Sequence, residues 1–309
     1  MTAKRMTLRR QAATALLLLS SSMAGVAHAE TLQGALAKAY RTNPTLTGAR
    51  AGQRATDENV PIQKAAGRPT ANSQLQFQEL VIRPSNSFLA PHRSANASAS
   101  IDVPIYSGGT VRNSVKAAET RVESGQANLR GTEASVFSQT VAAYMDVIRD
   151  SALVSLNAAN VKVLEVNLQA TNDRFEVGDV TRTDVAQSES RLELARSDLQ
   201  RAESNLITSR ENYIAMVGEA PVDLESPPAL PGLPADPDSA VRVALADNPD
   251  ILAAQKSREA ARYDVKAAKG ATLPTLSGFS QGSYTDYMDK DIAANKQAAV
   301  GATLTIPFY

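Results

Sequence analysis

The longest regular pattern along this chain has a period of seven. Val115, Val122, Leu129, Val136 and Ala143 recur at that spacing, and after a four-residue step Val147, Val154, Val161, Leu168 and Phe175 do so again. A sustained heptad predicts a helix packed lengthwise against others, and the inserted four reads as a stutter that locally unwinds the supercoil. Gly178-Asp179 makes a turn, and the chain returns through a second helix from Thr181 to about Val217. On it, Val185, Leu192, Leu199, Leu206 and Tyr213 form one row, and Ser188, Ala195, Ala202, Ser209 and Met216 form the row beside it. Large side chains thus face small ones along an antiparallel hairpin at about 109–217. Charges such as Glu189, Glu193, Arg196, Asp198 and Arg201 fill the other faces and read as a solvated surface laced by (i, i+3) and (i, i+4) pairs.

Ahead of the hairpin the period drops to two. Asn72, Gln74, Gln76 and Gln78 alternate with Ala71, Ser73, Leu75 and Phe77; after a loop near Pro84 to Arg93, Asn96, Ser98, Ser100 and Asp102 alternate with Ala95, Ala97, Ala99, Ile101 and Val103. This predicts strands at about 70–80 and 94–103, each with one polar face and one small or apolar face. Such strands suit a membrane β-barrel wall with a wet lumen, and equally a half-exposed hairpin in a soluble domain. Pro104 is expected to end the second strand and Gly108-Gly109 to turn the chain. Two short helices precede the strands: one from Thr31 to Tyr40, and one from Pro44 to about Ala66 that Gly67 and Pro69 stop. By rise per residue the long helix measures roughly 100 Å, the return helix about 55 Å and the helix before the strands about 35 Å. The two shorter ones laid end to end would nearly match the long one.

This order of elements recurs. Leu36 to Pro44 aligns with Val241 to Pro249 at an offset of 205 residues, and the same offset pairs Ala49 with Ala254, Ala55 with Ala260, Val60 with Val265 and Pro69 with Pro274. Val103-Pro104-Ile105-Tyr106 returns as Ile306-Pro307-Phe308-Tyr309. One fold unit used twice gives a first repeat at 30–225, a Pro-rich extended linker at 226–237, and a second repeat at 238–309 that stops before its own hairpin. The expectation is therefore a fragment of a longer chain.

The first 29 residues read as a targeting signal. Lys4, Arg5, Arg9 and Arg10 precede the short apolar run Ala12 to Leu19, and Ala27-His28-Ala29 is a small-x-small cleavage site of the general secretory type. Without that segment, 28 basic residues stand against 32 acidic ones, which does not recruit nucleic acid. The absence of cysteine excludes disulfides, thiolate metal sites, catalytic thiols and an acylated N-terminal anchor. No apolar run beyond Glu30 is long enough for a helical membrane span, a limit that does not touch a β-barrel.

Several stretches together resemble the TolC family of outer-membrane efflux and secretion channels: Leu32 to Ala39, the two Asn-Pro pairs, Val103 to Gly109, and Arg174 to Val185. The resemblance covers nearly the whole chain after Glu30. It implies a mainly α fold with a small β part, in which a long antiparallel coiled-coil hairpin and four membrane β-strands per chain build a trimeric α/β-barrel channel. Four strands cannot close a barrel and open edges are not tolerated in lipid, whereas three chains supply twelve. The family further implies a homotrimer in the outer membrane with a large periplasmic portion, working with a periplasmic adaptor protein and an inner-membrane transporter, against outer-membrane lipid and with no nucleic acid. Its cargo is small molecules in efflux or proteins in type I secretion. No bond is made or broken, and no cofactor or metal is involved.

By the same resemblance Gly178, Asp179, Val180, Thr181, Thr183 and Asp184 form the hairpin tip at the periplasmic aperture. Gly178 turns the chain, Val180 and Thr181 meet the adaptor, and Asp184 joins a closing polar network. Thr183 and Asp184 at a helix start serve equally as partners of the helix dipole. Pro69, Pro104, Gly108, Gly109, Pro274 and Pro307 fall at the corners where barrel joins tunnel. The competing reading is a soluble periplasmic adaptor, which also carries a helical hairpin; the 205-residue duplication and the alternating strands argue against it. An enzyme is disfavoured, because His92 has no nucleophile or metal-ligand partner in any motif and no phosphate loop or carboxylate pair stands out.

Overall fold

A computed structural model describes residues 30–82, 91–229, 232–289 and 291–308. Residues 1–29, where a targeting signal is expected, most of the loop after the first strand and Tyr309 lie outside the described residues. In chain order the elements are α1 (Leu32–Thr42), α2 (Pro44–Asp57), α3 (Asn59–Ala65), β1 (Thr70–Glu79), β2 (Arg93–Ser107), α4 (Thr110–Glu176) and α5 (Arg182–Val217). Then follow α6 (Pro237–Asp247), α7 (Pro249–Gly270), β3 (Thr275–Asp286) and β4 (Asn295–Thr305). Helices followed by two strands thus occur twice, three helices in the first copy and two in the second.

Local chemistry sets most boundaries. Thr31 caps α1 by accepting from the Gly34 N–H, and Asn248 caps α7 by accepting from the N–H groups of Asp250 and Ile251. Pro44 and Pro249 open their helices, where a missing N–H costs nothing. The helix expected to reach Ala66 without a break is instead interrupted at Glu58. Pro61 causes this, because it offers no N–H to the carbonyl four residues back and its ring crowds that turn. Lys266 stands at the equivalent place in the second copy, and α7 runs through.

Contacts divide the chain into two compact units: 30–43 with 136–229, and 44–135 with 232–308. In the first, α1 and α5 pack with the second part of α4. Ala35, Ala143, Tyr144, Val147, Tyr213 and Val217 form its main core, and a second cluster of Val161, Leu192 and Ala195 lies further along the hairpin. Around the main core the segment at Glu30 is pinned. Glu30 donates its N–H to the Val222 and Asp223 carbonyls, the Tyr144 hydroxyl reaches the carbonyls of Glu30 (2.8 Å) and Glu225 (2.5 Å), and Lys38 bridges Glu30 (2.9 Å) and Glu219 (2.8 Å).

Both rows expected on α5 are its covered seam. On α4 the row Val136, Thr140, Ala143, Val147, Asp150, Val154, Asn157 and Val161 is covered throughout, in alternating steps of four and three, with Tyr144 buried beside it. There is no stutter between Ala143 and Val147. The seven-residue row continues through Asp150, a buried acid that breaks the hydrophobic signal, so the pattern shifts to the neighbouring row of the same seam.

In the second unit the four strands form one antiparallel sheet in the order β1-β2-β3-β4. β2 does not end at Pro104. It continues to Ser107 through an irregularity in which Pro104 faces Ser277 and Tyr106 faces Leu276. An unpaired residue here is where a proline lacking its N–H is tolerated within a strand.

Candidate functional site: the two-faced sheet and the hairpin tip

Register across the sheet sorts its side chains by chemistry. Gln74, Ser98, Ser283 and Gln297 fall on one rung, and Gln76, Asn96, Thr285 and Asn295 on the next, with the Asn96 amide donating to the Thr285 hydroxyl at 2.8 Å. The opposite face carries Leu75, Ala97, Tyr284 and Lys296, the Lys296 ammonium lying over the Tyr284 ring, then Ser73, Ala99, Gly282 and Ala298, then Ala71, Ile101, Ser280 and Val300. Beyond these come Val103, Gly278 and Ala302, then Tyr106, Leu276 and Leu304; the extra residue at the bulge keeps Tyr106 on this face.

From the Tyr284 rung to the Leu276 rung is eight residues, about 26 Å at strand rise. Strands in membrane barrels tilt by about 40°, so this stretch stands roughly 20 Å tall, most of an apolar band of about 25 Å, and tyrosines stand at both of its ends. Leu75 is 90% exposed and Val300 84% exposed, so the apolar face is uncovered within the chain. β1 and β4 each pair on one side only. Among the described residues no helix is long and apolar enough to cross a membrane.

The polar face and the first two strands were legible as alternation. The contributions of β3 and β4, Leu276, Tyr284, Val300 and Leu304, were not singled out. Gly278, Gly282 and Gly301 dilute the period there, and on the polar face the Phe279 ring covers Gly301, so one large apolar residue stands out of phase.

The corner residues sit at strand ends. Pro69 and Pro274 each immediately precede a strand, and Pro307 follows β4. Gly108 and Gly109 have φ of 61° and 81° and turn the chain from β2 into α4. Gly108 lies against Gly270, so closely that a Cβ on Gly270 would sit 2.8 Å from the Gly108 carbonyl oxygen.

At the other end of α4, Gly178 (φ 80°) closes the helix. Its N–H bonds the Phe175 carbonyl, the Asp179 N–H bonds the Arg174 carbonyl, and the Arg174 guanidinium meets the Asp179 carboxylate at 2.7 Å. Thr181 then caps α5, and Asp184 closes a reciprocal box with it. The Thr181 hydroxyl and N–H, with Arg174 nearby, hold the Asp184 carboxyl below its ordinary range. Thr183 lies in the first turn of α5, and Val180 is half-buried between the two caps. The structure therefore brings the six tip residues into one short segment.

The outer membrane efflux protein family model matches residues 35–219, from α1 through α5. The chain is similar to the outer membrane efflux protein BepC of Brucella suis, with 36% identity over 299 residues, covering 96% of this chain and 65% of that one. It is 26% identical over 190 residues to the outer membrane protein TolC of Escherichia coli, covering 55% of this chain and 38% of that one. Its fold matches the Campylobacter jejuni CmeC outer membrane channel with a TM-score of 0.73 at 16% identity, covering 90% of this chain and 61% of the other. The chain thus spans less than two thirds of each of these proteins. Neither kind of comparison supports the adaptor reading. The chain belongs to the outer membrane efflux protein family.

Proposed function

We propose that the chain forms part of an outer-membrane exit duct, with its sheet in the membrane wall and its helical hairpin in the periplasm. One observation carries this: a four-stranded sheet with a polar face, an uncovered apolar face of membrane height and two unpaired edges. Edges in lipid must be paired, so copies associate edge to edge, and three copies give a closed twelve-stranded barrel with the polar rungs lining the lumen. The chain is not an enzyme. Its cargo, small molecules or type I secreted proteins, is moved by an inner-membrane transporter through a periplasmic adaptor. In this assembly Val180 and Thr181 meet the adaptor, Gly178 and Asp179 shape the tip, and Asp184 lies at the aperture. The Pro and Gly corners join barrel to tunnel.

The lack of native cysteine makes a clean test possible. Gln74→Cys on β1, combined in turn with Gln297→Cys, Ala299→Cys or Gly301→Cys on β4, would be oxidised after expression in an outer membrane. At least one pair is expected to give covalently closed trimers on denaturing gels. Monomers alone from all three pairs would refute edge-to-edge closure.

A further inference from the structure

We infer that the strand–helix corner carries a basic collar that binds the anionic headgroups of the phospholipid leaflet adjoining it. This rests on the proposed placement of the sheet in a membrane and adds the identity of the lipid. Three segments meet at the corner. Gly67 lies against Val111, and Gly108 against Gly270, which sets Arg68, Arg112 and Lys269 around the ends of β1, β2 and β3. Lys116 and Lys266 stand over one ring, that of Tyr263, at 5.6 Å and 5.0 Å.

Two nearby carboxylates are already engaged: Glu119 pairs with Lys64 at 3.1 Å, and Asp264 pairs with Arg121. Among the described residues none of Arg68, Arg112, Lys116, Lys266 and Lys269 has a carboxylate within ion-pair distance, and all but the half-buried Lys116 are exposed. Two ammonium groups held at one aromatic ring without a counter-charge repel each other, and an anion there relieves the repulsion.

A chain with 32 basic and 32 acidic residues overall concentrates five unneutralised cations at this corner. They lie just past the Tyr106 rung that ends the apolar band, the level at which headgroups begin. At the opposite end of the band the charges are mixed: Glu79 pairs with Arg93 at 3.0 Å, and Asp286 and Lys296 stand close by in the register. The asymmetry assigns the anionic leaflet to the helical side.

The test is partition of the full chain into vesicles of phosphatidylethanolamine, with or without phosphatidylglycerol, read by flotation. Partition is expected to rise by well over about tenfold with phosphatidylglycerol, and this gain should vanish near 1 M salt, where the Debye length is about 3 Å. The fivefold variant Arg68→Gln, Arg112→Gln, Lys116→Gln, Lys266→Gln and Lys269→Gln should lose the gain yet still enter neutral vesicles, whereas Lys296→Gln alone should keep it. Equal partition of the unaltered chain into both vesicles overturns the collar while leaving the membrane reading intact. Suppression of the gain by inorganic phosphate at the lipid's concentration shows a free-anion site and likewise overturns it. Entry into neither vesicle overturns the membrane reading and the collar together.

Discussion

The Asp184 carboxylate accepts two hydrogen bonds from a single residue, the backbone N–H of Thr181 at 2.8 Å and its hydroxyl at 2.7 Å. The acid proposed for the aperture is therefore also the clasp that starts α5. The two roles separate by comparing substitutions. Thr181→Ala and Asp184→Ala both open the capping box and should both speed amide exchange in the first turn of α5, with Thr181→Ala costing about 1 kcal/mol of local stability. Only Asp184→Ala removes the aperture charge, so it alone should raise single-channel conductance in planar bilayers of the assembled channel. An equal rise in both variants would assign Asp184 to the cap alone. Because the cap lowers the Asp184 pKa, its contribution is in place above the ordinary value of 3.8 and is lost as pH falls through the lower folded value. The protection of tip amides, taken relative to the unstructured exchange rate at each pH, should therefore hold down to that range and fall below it.

Two glycines with similar backbone angles should respond differently to alanine. Gly178 has φ of 80° and open space around a would-be Cβ, so Gly178→Ala pays only the left-handed backbone cost, about 1–2 kcal/mol. Gly108 has φ of 61° and a would-be Cβ that overlaps the Gly270 carbonyl, so Gly108→Ala must also part the two segments at the corner. Urea unfolding should show the Gly108 variant to be the less stable by well over 1 kcal/mol. Equal stability of the two would mean that the corner gives way easily.

The Tyr144 hydroxyl is the shared donor to the Glu30 and Glu225 carbonyls, and its ring is fully buried. Tyr144→Phe keeps the packing but leaves both acceptors without that donor, at an expected cost of about 1–2 kcal/mol. Proteolysis near Glu30 and in the stretch after Val222 should accelerate together, since one hydroxyl ties them. A variant as resistant as the unaltered chain would show that the backbone bonds of Glu30 suffice.

What the sequence made legible is what repeats locally. The rows from Val185 and Ser188 were the seam of α5 because each member is apolar or small, and the Gln/Leu alternation of β1 was a strand because both faces are uniform. The errors share a different cause. Pro61 interrupted a helix whose periodicity ran on past it, and Pro104 failed to end a strand because a bulge in the β2–β3 pairing absorbed it, a fact of partner and register rather than of local sequence. The lone basic residues of the collar carry no motif; only the meeting of three distant segments makes them a group. The apparent stutter arose because Asp150 occupies a core position, where a hydrophobic pattern has nothing to show.

That buried acid leads to the last prediction. Asp150 has a side chain only 5% exposed; it accepts from the Arg149 guanidinium at 2.8 Å and from the buried Ser209 hydroxyl on the facing helix. Arg149 itself is 60% exposed and also meets Asp146 at 2.6 Å, so it loses little when Asp150 is removed, whereas Ser209 is left buried beside a void. Asp150→Ala should cost about 1–3 kcal/mol. With Ser209→Ala also made, the loss should be smaller than the sum of the two single losses by about 1 kcal/mol or more. The Arg149 hydrogen bond, followed by that of Ser209, holds the Asp150 pKa below 3.8 against the opposing effect of burial. Its stabilisation is thus complete above that pH and fades as pH drops through the folded value. The advantage of the unaltered chain over Asp150→Asn in urea should be constant near neutrality and shrink in acid. An advantage that grows on acidification would mean that burial, not Arg149, dominates this carboxyl and that the seam position holds a protonated acid.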